Sequence, residues 1–211
     1  MMLNFNLLKN SLSFFVLFVV VNGHNGYDHD VAKYFSEHKV VPNVIAIPPR
    51  IGLKVTYNDK EVNFGNELTP TEVKDVPLVD WTADADAFYT LIMTDPDAPS
   101  RKEPTFGQWL HWTVVNIPGN DLSKGDTLVE YVGAGPPPDT DLHRYVFLVY
   151  KQQQKHDFNE PILTNKSGEG RAKRSVKDFV AKHELGDAIA GNFFQAKYDD
   201  YVPTLYKQLG I

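Results

Sequence analysis

The 211-residue chain contains no cysteine. That excludes thiol nucleophiles, thiolate metal sites, redox switching and disulfide staples together. Small secreted domains that bury too little surface lean on disulfides, so here the core alone must hold the fold. A basic excess is also missing: 21 Lys and Arg stand against 27 Asp and Glu, a net charge of −6. No positive stripe follows from that balance, and no nucleic-acid partner is expected. The longest apolar run, Leu12–Val21 (LSFFVLFVVV), covers ten residues, whereas a membrane-spanning helix needs about 20. Internal repeats, low-complexity tracts and long linkers are absent as well.

The short apolar run has a different meaning at its position. Lys9 precedes it and Val21-Asn22-Gly23 follows, with valine and glycine at the −3 and −1 positions of a signal-peptidase site. Residues 1–23 are therefore expected to be a cleaved leader and the protein to be secreted and extracellular. Cleavage removes Lys9 and moves the net charge from −6 to −7. The remaining chain, about 188 residues, is long enough for a sizeable single core. Residues 24–39 form an N-terminal extension: a polar lead-in (HNGYDHD, 24–30), then Val31, Tyr34, Phe35 and His38 at the spacing of a short amphipathic helix over 30–39.

From residue 40 onward the pattern turns to strands. Ile51–Tyr57 alternates, Asn58-Asp59-Lys60 turns it, and Glu61–Phe64 returns. Thr69-Pro70-Thr71-Glu72 has capping-box spacing and predicts one helical turn. Phe88–Met93, His111–Ile117 and His143–Lys151 are rich in β-branched and aromatic residues and read as longer strands. Helical spacing returns with Val176, Phe179, Val180 and His183, and again with Val202, Leu205, Tyr206 and Leu209. Many strands with a few late helices give a mainly β (α+β) domain over 40–211, a β-sandwich with short peripheral and C-terminal helices.

Polar residues concentrate at the predicted strand ends. LIMTDPDAPSR (91–101) follows a buried run with two carboxylates, Asp95 and Asp97, between Pro96 and Pro99. Such a pair suits a metal, a proton transfer, a cation or only a rigid turn. Strand alternation puts Trp109, His111 and Thr113 on one face of their segment. It puts His143 and Tyr145 on one face of theirs, with Arg144 and Val146 opposite. Side-by-side ends would gather two acids, two imidazoles, a phenol and an indole around one cavity.

TDPDAPSR (94–101), WLHW (109–112), YVGAGPPP (131–138), LHRYVFLVY (142–150), NEPIL (159–163) and DDYVPTLY (199–206) stand in order and in register. Over residues 40–211 the chain thereby resembles the phosphatidylethanolamine-binding protein family, and with its leader it resembles the secreted animal members. The resemblance implies a single β-sandwich domain with a small anion-binding cavity at one end. The matching positions are Asp95, Asp97, Trp109, His111, Gly135, Pro137, His143, Tyr145 and Tyr206. It implies no catalytic metal and no cofactor, and it implies a non-enzymatic carrier or modulator that takes a phospholipid head group or a small phosphate-bearing anion. Residues 24–39 and KQQQKHDF (151–158) depart from the pattern.

On this reading Asp95 and Asp97 orient and polarise His111 and His143, which donate to a phosphoryl oxygen. Leftover carboxylate charge receives the ammonium of phosphoethanolamine. Gly135 lets backbone N–H groups approach the anion. Replacing His143 is expected to weaken binding with little effect on the melting temperature. A secreted protease inhibitor of the same family is the alternative, with a secreted protease as partner. A metal-dependent hydrolase is the remote one, since no H-E-x-x-H pair occurs, and Ser100 lacks a nucleophile elbow. At most peripheral membrane contact is expected, and a monomer by default. Asn165-Lys166-Ser167 is a glycosylation sequon, and Arg171-Ala-Lys-Arg174 resembles a convertase site that a following helix should protect.

Overall fold

A computed structural model describes residues 29–211. The expected leader and the first part of the polar lead-in lie outside the described residues. In chain order the elements are α1 (His29–Glu37), α2 (Val40–Asn43), β1 (Ile51–Gly52), β2 (Lys54–Tyr57), β3 (Lys60–Glu61), β4 (Leu78–Asp80), β5 (Phe88–Asp95), β6 (Trp109–Pro118), β7 (Asp126–Val129), β8 (His143–Gln152), α3 (Val176–Lys182), β9 (Ala190–Ala196) and α4 (Val202–Leu209). A six-stranded sheet runs β1-β9-β8-β5-β6-β7 and a three-stranded sheet runs β3-β2-β4.

Both faces of the large sheet are covered, which is why β5, β6 and β8 are nearly continuously apolar. Tyr145, Phe147 and Val149 point into a core shared with Val55 and Val79 of the small sheet and with Leu53 just before it. Their neighbours Val146, Leu148 and Tyr150 pack on the other side against Val31 and Phe35 of α1 and Val176 of α3. The helix expected over 30–39 thus caps one face of the sheet.

At Thr69–Glu72 both capping-box bonds form, Thr69 N–H to Glu72 Oε2 at 2.9 Å and Glu72 N–H to Thr69 Oγ1 at 3.2 Å. The expected single helical turn forms, closed by Val73 N–H to Thr69 O at 3.2 Å, and goes no further because Val76 and Pro77 lead directly into β4. Other expectations need correction. Strands β4, β7 and β9 are additional to the sequence reading. β9 (AGNFFQA) hides behind Gly191 and Asn192, residues that normally speak against a strand. A Cβ at Gly191 would come within 2.7 Å of Pro49 and 2.9 Å of Phe35, so α1 can approach only a glycine there. Asn192 is buried and fully bonded: its amide donates to the carbonyls of Leu53 and Val62, and its oxygen accepts from Phe64 and Phe193 N–H.

Three pairings bring the polar strand ends together. Asp95 at the end of β5 lies opposite Trp109 at the start of β6, and Thr94 lies opposite Val146 near the start of β8. Between Met93/Trp112 and Thr94/Leu110 the register shifts, leaving His111 as a bulged residue. The bulge breaks the simple alternation. His111 and Tyr145 come edge to face at 5.1 Å, while Thr113 pairs with Ile92 and lines the helical side. Trp109, His111 and Thr113 therefore do not share one face.

Candidate functional site

At this end of the sandwich lies a cavity of about 240 Å³. Of the nine residues singled out from the sequence, Asp95, Trp109, His111, Gly135, Pro137, His143, Tyr145 and Tyr206 line it. Val132, Leu205 and Leu209 form an apolar wall, and Phe106 and Ile211, 50% and 65% exposed, stand at its rim. His143 and Asp95, far apart in sequence, meet directly.

Asp97 is not among the lining residues. Its Oδ2 accepts from the Arg144 backbone N–H and from Arg144 Nε, both at 2.9 Å, while Oδ1 takes Nη2. The remaining nitrogen, Nη1, donates to the carbonyls of His38 and Lys39 at 2.9 and 2.7 Å. This buried bidentate pair fastens the β5 end to the segment joining α1 and α2. Asp97 steers no imidazole and keeps no spare charge for an ammonium.

Asp95 is fully engaged too. Its Oδ1 accepts from the Asp97 N–H at 2.6 Å, closing the DPD turn, and its Oδ2 meets His143 Nδ1 at 2.9 Å. Thr140 completes the chain. Its hydroxyl donates to the Pro137 carbonyl at 2.7 Å and therefore accepts from His143 Nε2 at 3.0 Å, which places a proton on that nitrogen. Burial raises the Asp95 pKa against the pull of His143.

His111 depends on a carbonyl, not an acid. Its Nδ1–H donates to Val132 O at 2.8 Å. Burial, reinforced by the nearby Arg171 charge, pushes its pKa down to about 3, so the ring is neutral near pH 7 and its Nε2 is an acceptor. Trp109 packs on it with ring centres 4.5 Å apart.

Tyr145 differs from Asp95 and His143, whose polar atoms are all bonded within the protein. Its side chain is fully buried, it lines the cavity, and its O–H proton has no acceptor among the described residues, although the Gly135 backbone lies close enough to interact with the phenol oxygen. Burial and the Asp95 charge raise its pKa well above the usual phenol range, which keeps the proton on the oxygen. Tyr206 on α4 donates to Gly135 O at 3.0 Å. A Cβ at Gly135 would lie 2.9 Å from Leu205 and 3.5 Å from Tyr206. The glycine is therefore required for α4 to close on the loop, a packing reason distinct from anion approach.

Arg171 was read only as part of a basic tetrapeptide, yet it is a structural centre of this region. Fully buried, it donates to the carbonyls of Ser167, Leu110, His111, Glu130 and Thr164. Its guanidinium lies 5.2 Å from the Trp109 ring centre. Burial lowers its pKa to about 10, so it stays a cation. Backbone bonds from Lys173 N to Phe106 O and from Arg174 N to Gln108 O hold the tetrapeptide along the start of β6, where a protease cannot extend it. Asn165 sits in a surface turn, its N–H bonded to Glu130 and its carbonyl to Gln208. A spacing rule finds none of Arg171, Thr140 or the Val132 carbonyl, since each acts through backbone geometry set by the fold.

Comparison with known proteins agrees with this architecture. The phosphatidylethanolamine-binding protein family model matches residues 58–194. The chain is 41% identical over 196 residues to putative odorant-binding protein A5 of Drosophila melanogaster, covering 92% of this chain and 93% of that one. The solution structure of CG7054 shares 48% identity and a TM-score of 0.68, over 81% of this chain and 97% of that one. Carboxypeptidase Y inhibitor, solved with its cognate proteinase, shares the fold at 24% identity and a TM-score of 0.69, over 83% and 98% of the two chains. The chain belongs to the phosphatidylethanolamine-binding protein family.

Proposed function

We propose that the protein is a secreted, non-enzymatic binder that takes a phosphate-bearing head group of the phosphoethanolamine type in the cavity at the ends of β5, β6 and β8. The observation that carries this reading is the Tyr145 hydroxyl, a buried donor without an acceptor among the described residues. An unsatisfied buried hydroxyl costs about 1–3 kcal/mol, and a phosphoryl oxygen would satisfy it. His111 Nε2 supplies the complementary acceptor for a protonated phosphate oxygen or an ammonium. The small volume admits a head group, while Phe106 and Ile211 at the rim offer apolar contact to whatever the head group is attached to.

The acids and histidines do not converge as metal ligands: Asp97 is held by Arg144, and His111 by a carbonyl. That favours binding over metal-assisted hydrolysis. Secretion is supported by the apolar run after Lys9 and by the odorant-binding name of a relative 41% identical to this chain.

Calorimetry with O-phosphorylethanolamine on wild-type protein and Tyr145→Phe tests the reading. The substitution keeps the ring and removes only the oxygen, so the fold should be as stable or slightly more so. Affinity should fall by about 10- to 150-fold, the worth of one hydrogen bond to a charged acceptor. Equal affinity in the two proteins defeats the reading.

A further inference from the structure

A second cavity, of about 260 Å³, opens on the helical side of the large sheet, between β6, β7 and α3. Ile92, Leu110, Leu128, Val129, Leu163 and Phe179 make its walls. Thr113 also lines it. That residue is only 2% exposed, and its hydroxyl has no hydrogen-bond partner among the described residues. The β6 bulge at His111 creates this situation by turning Thr113 away from the first cavity and into an apolar one.

Of the charged lining residues, Lys173, Asp178 and Lys182 are exposed to solvent, and Glu160 is taken up by Lys182 and by His183 beside the cavity. Lys182 Nζ and His183 Nε2 both reach Glu160 Oε1, at 2.5 and 2.9 Å. Arg174 Nε donates to Gly170 O at 2.8 Å. An ionised head group pushed inward would meet one hydroxyl and hydrocarbon, which is far too little to replace its hydration. A neutral oxygen meets a matching donor. The volume lies just below the range of about 300–1,000 Å³ usual for drug-sized ligands, so the occupant is small.

We propose that this cavity binds a small neutral oxygenated hydrocarbon (a ketone, aldehyde, alcohol or ester) whose oxygen accepts from the Thr113 hydroxyl while its chain packs against Leu110, Leu128 and Phe179. The site is separate from the one lined by Tyr145, and either could fail without the other.

The test is an amide-resolved NMR titration of the full protein with heptan-2-one, with heptanoate and O-phosphorylethanolamine as comparisons. Heptan-2-one should saturate, shifting amides at 110–113, 128–129 and 176–179. Thr113→Val, close in shape and without the oxygen, should weaken heptan-2-one about three- to tenfold and leave O-phosphorylethanolamine unchanged. Its melting temperature should hold or rise, since an unpaired buried hydroxyl is removed. Leu163→Trp should block heptan-2-one by filling the cavity and serves as a second variant if Thr113→Val folds poorly. The proposal is overturned by absence of saturation, by shifts confined to 132–137 and Tyr206, by equal affinity in Thr113→Val, or by heptanoate binding tighter than the ketone.

Discussion

Lowering the pH from 7.5 to 5 should destabilise the fold through His111 in particular. The imidazole titrates near 6.5 when exposed and near 3 when folded. Between those values the unfolded chain carries the extra proton, so stability falls as pH falls through this window. The slope for one group is about 1.4 kcal/mol per pH unit. Integrated from pH 7.5 down to pH 5, the His111 contribution is about 2 kcal/mol. Other carboxylates and histidines titrate too, so the comparison must be with a variant that lacks only this group. His111→Asn keeps a donor for the Val132 carbonyl and cannot be protonated. It should be less stable at pH 7.5, having lost the ring contacts to Trp109 and Tyr145. The gap to wild type should then close by about 2 kcal/mol at pH 5, which corresponds to about 1 M in urea midpoint. Urea unfolding followed by tryptophan fluorescence at four pH values reads it. Stability curves that stay parallel from pH 7.5 to 5 would refute a neutral, acid-resistant His111.

His143→Ala should lower stability by about 3 kcal/mol in thermal melts, contrary to the mild effect expected from the sequence, because it strips a buried carboxylate of its partner. Asp97→Asn should cost about 3–5 kcal/mol by leaving Arg144 under-compensated, yet calorimetric affinity for O-phosphorylethanolamine, measured below the lowered melting temperature, should be close to wild type because Asp97 is not part of the cavity lining. Gly135→Ala should cost about 1–3 kcal/mol through the forced contact with Leu205 and should loosen the Tyr206 bond, visible as faster amide exchange in α4.

What was legible in the sequence follows from where each signal lives. β5, β6 and β8 are continuous apolar runs because both their faces are buried, and runs of that kind survive inspection without coordinates. Asp95, Trp109, His111, His143 and Tyr145 line the cavity from strand ends, where polar residues beside apolar runs stand out, whereas Gly135, Pro137 and Tyr206 came only from the family resemblance. β9 escaped because its glycine and asparagine are explained only by Phe35 and by the carbonyls of Leu53 and Val62, which lie far away in sequence. The facing of Thr113 failed for a related reason: a single bulged residue inverts the alternation, and nothing local in WLHWTVV announces it. Arg171 was misjudged because a basic tetrapeptide looks alike whether its side chains reach water or five backbone carbonyls.

The acids that first marked the site turn out to spend their charge inside the protein. Asp97 is neutralised by Arg144, and Asp95 is bonded to His143 while holding its own turn. With His111 neutral, the polar groups left to a ligand are a phenol donor and an imidazole acceptor, neither of them ionised near pH 7. Selectivity then rests on matching hydrogen bonds in a small, largely apolar cavity, where a misplaced polar group is costly. The fixed cation nearest the indole, Arg171, is walled off behind carbonyls and acts through its field on His111. Acidification reverses part of this balance. Because burial raises the Asp95 pKa, falling pH neutralises that carboxylate early and removes a negative charge from the cavity wall. Affinity for a phosphate-bearing anion should therefore rise over the acid range in which the fold itself grows weaker.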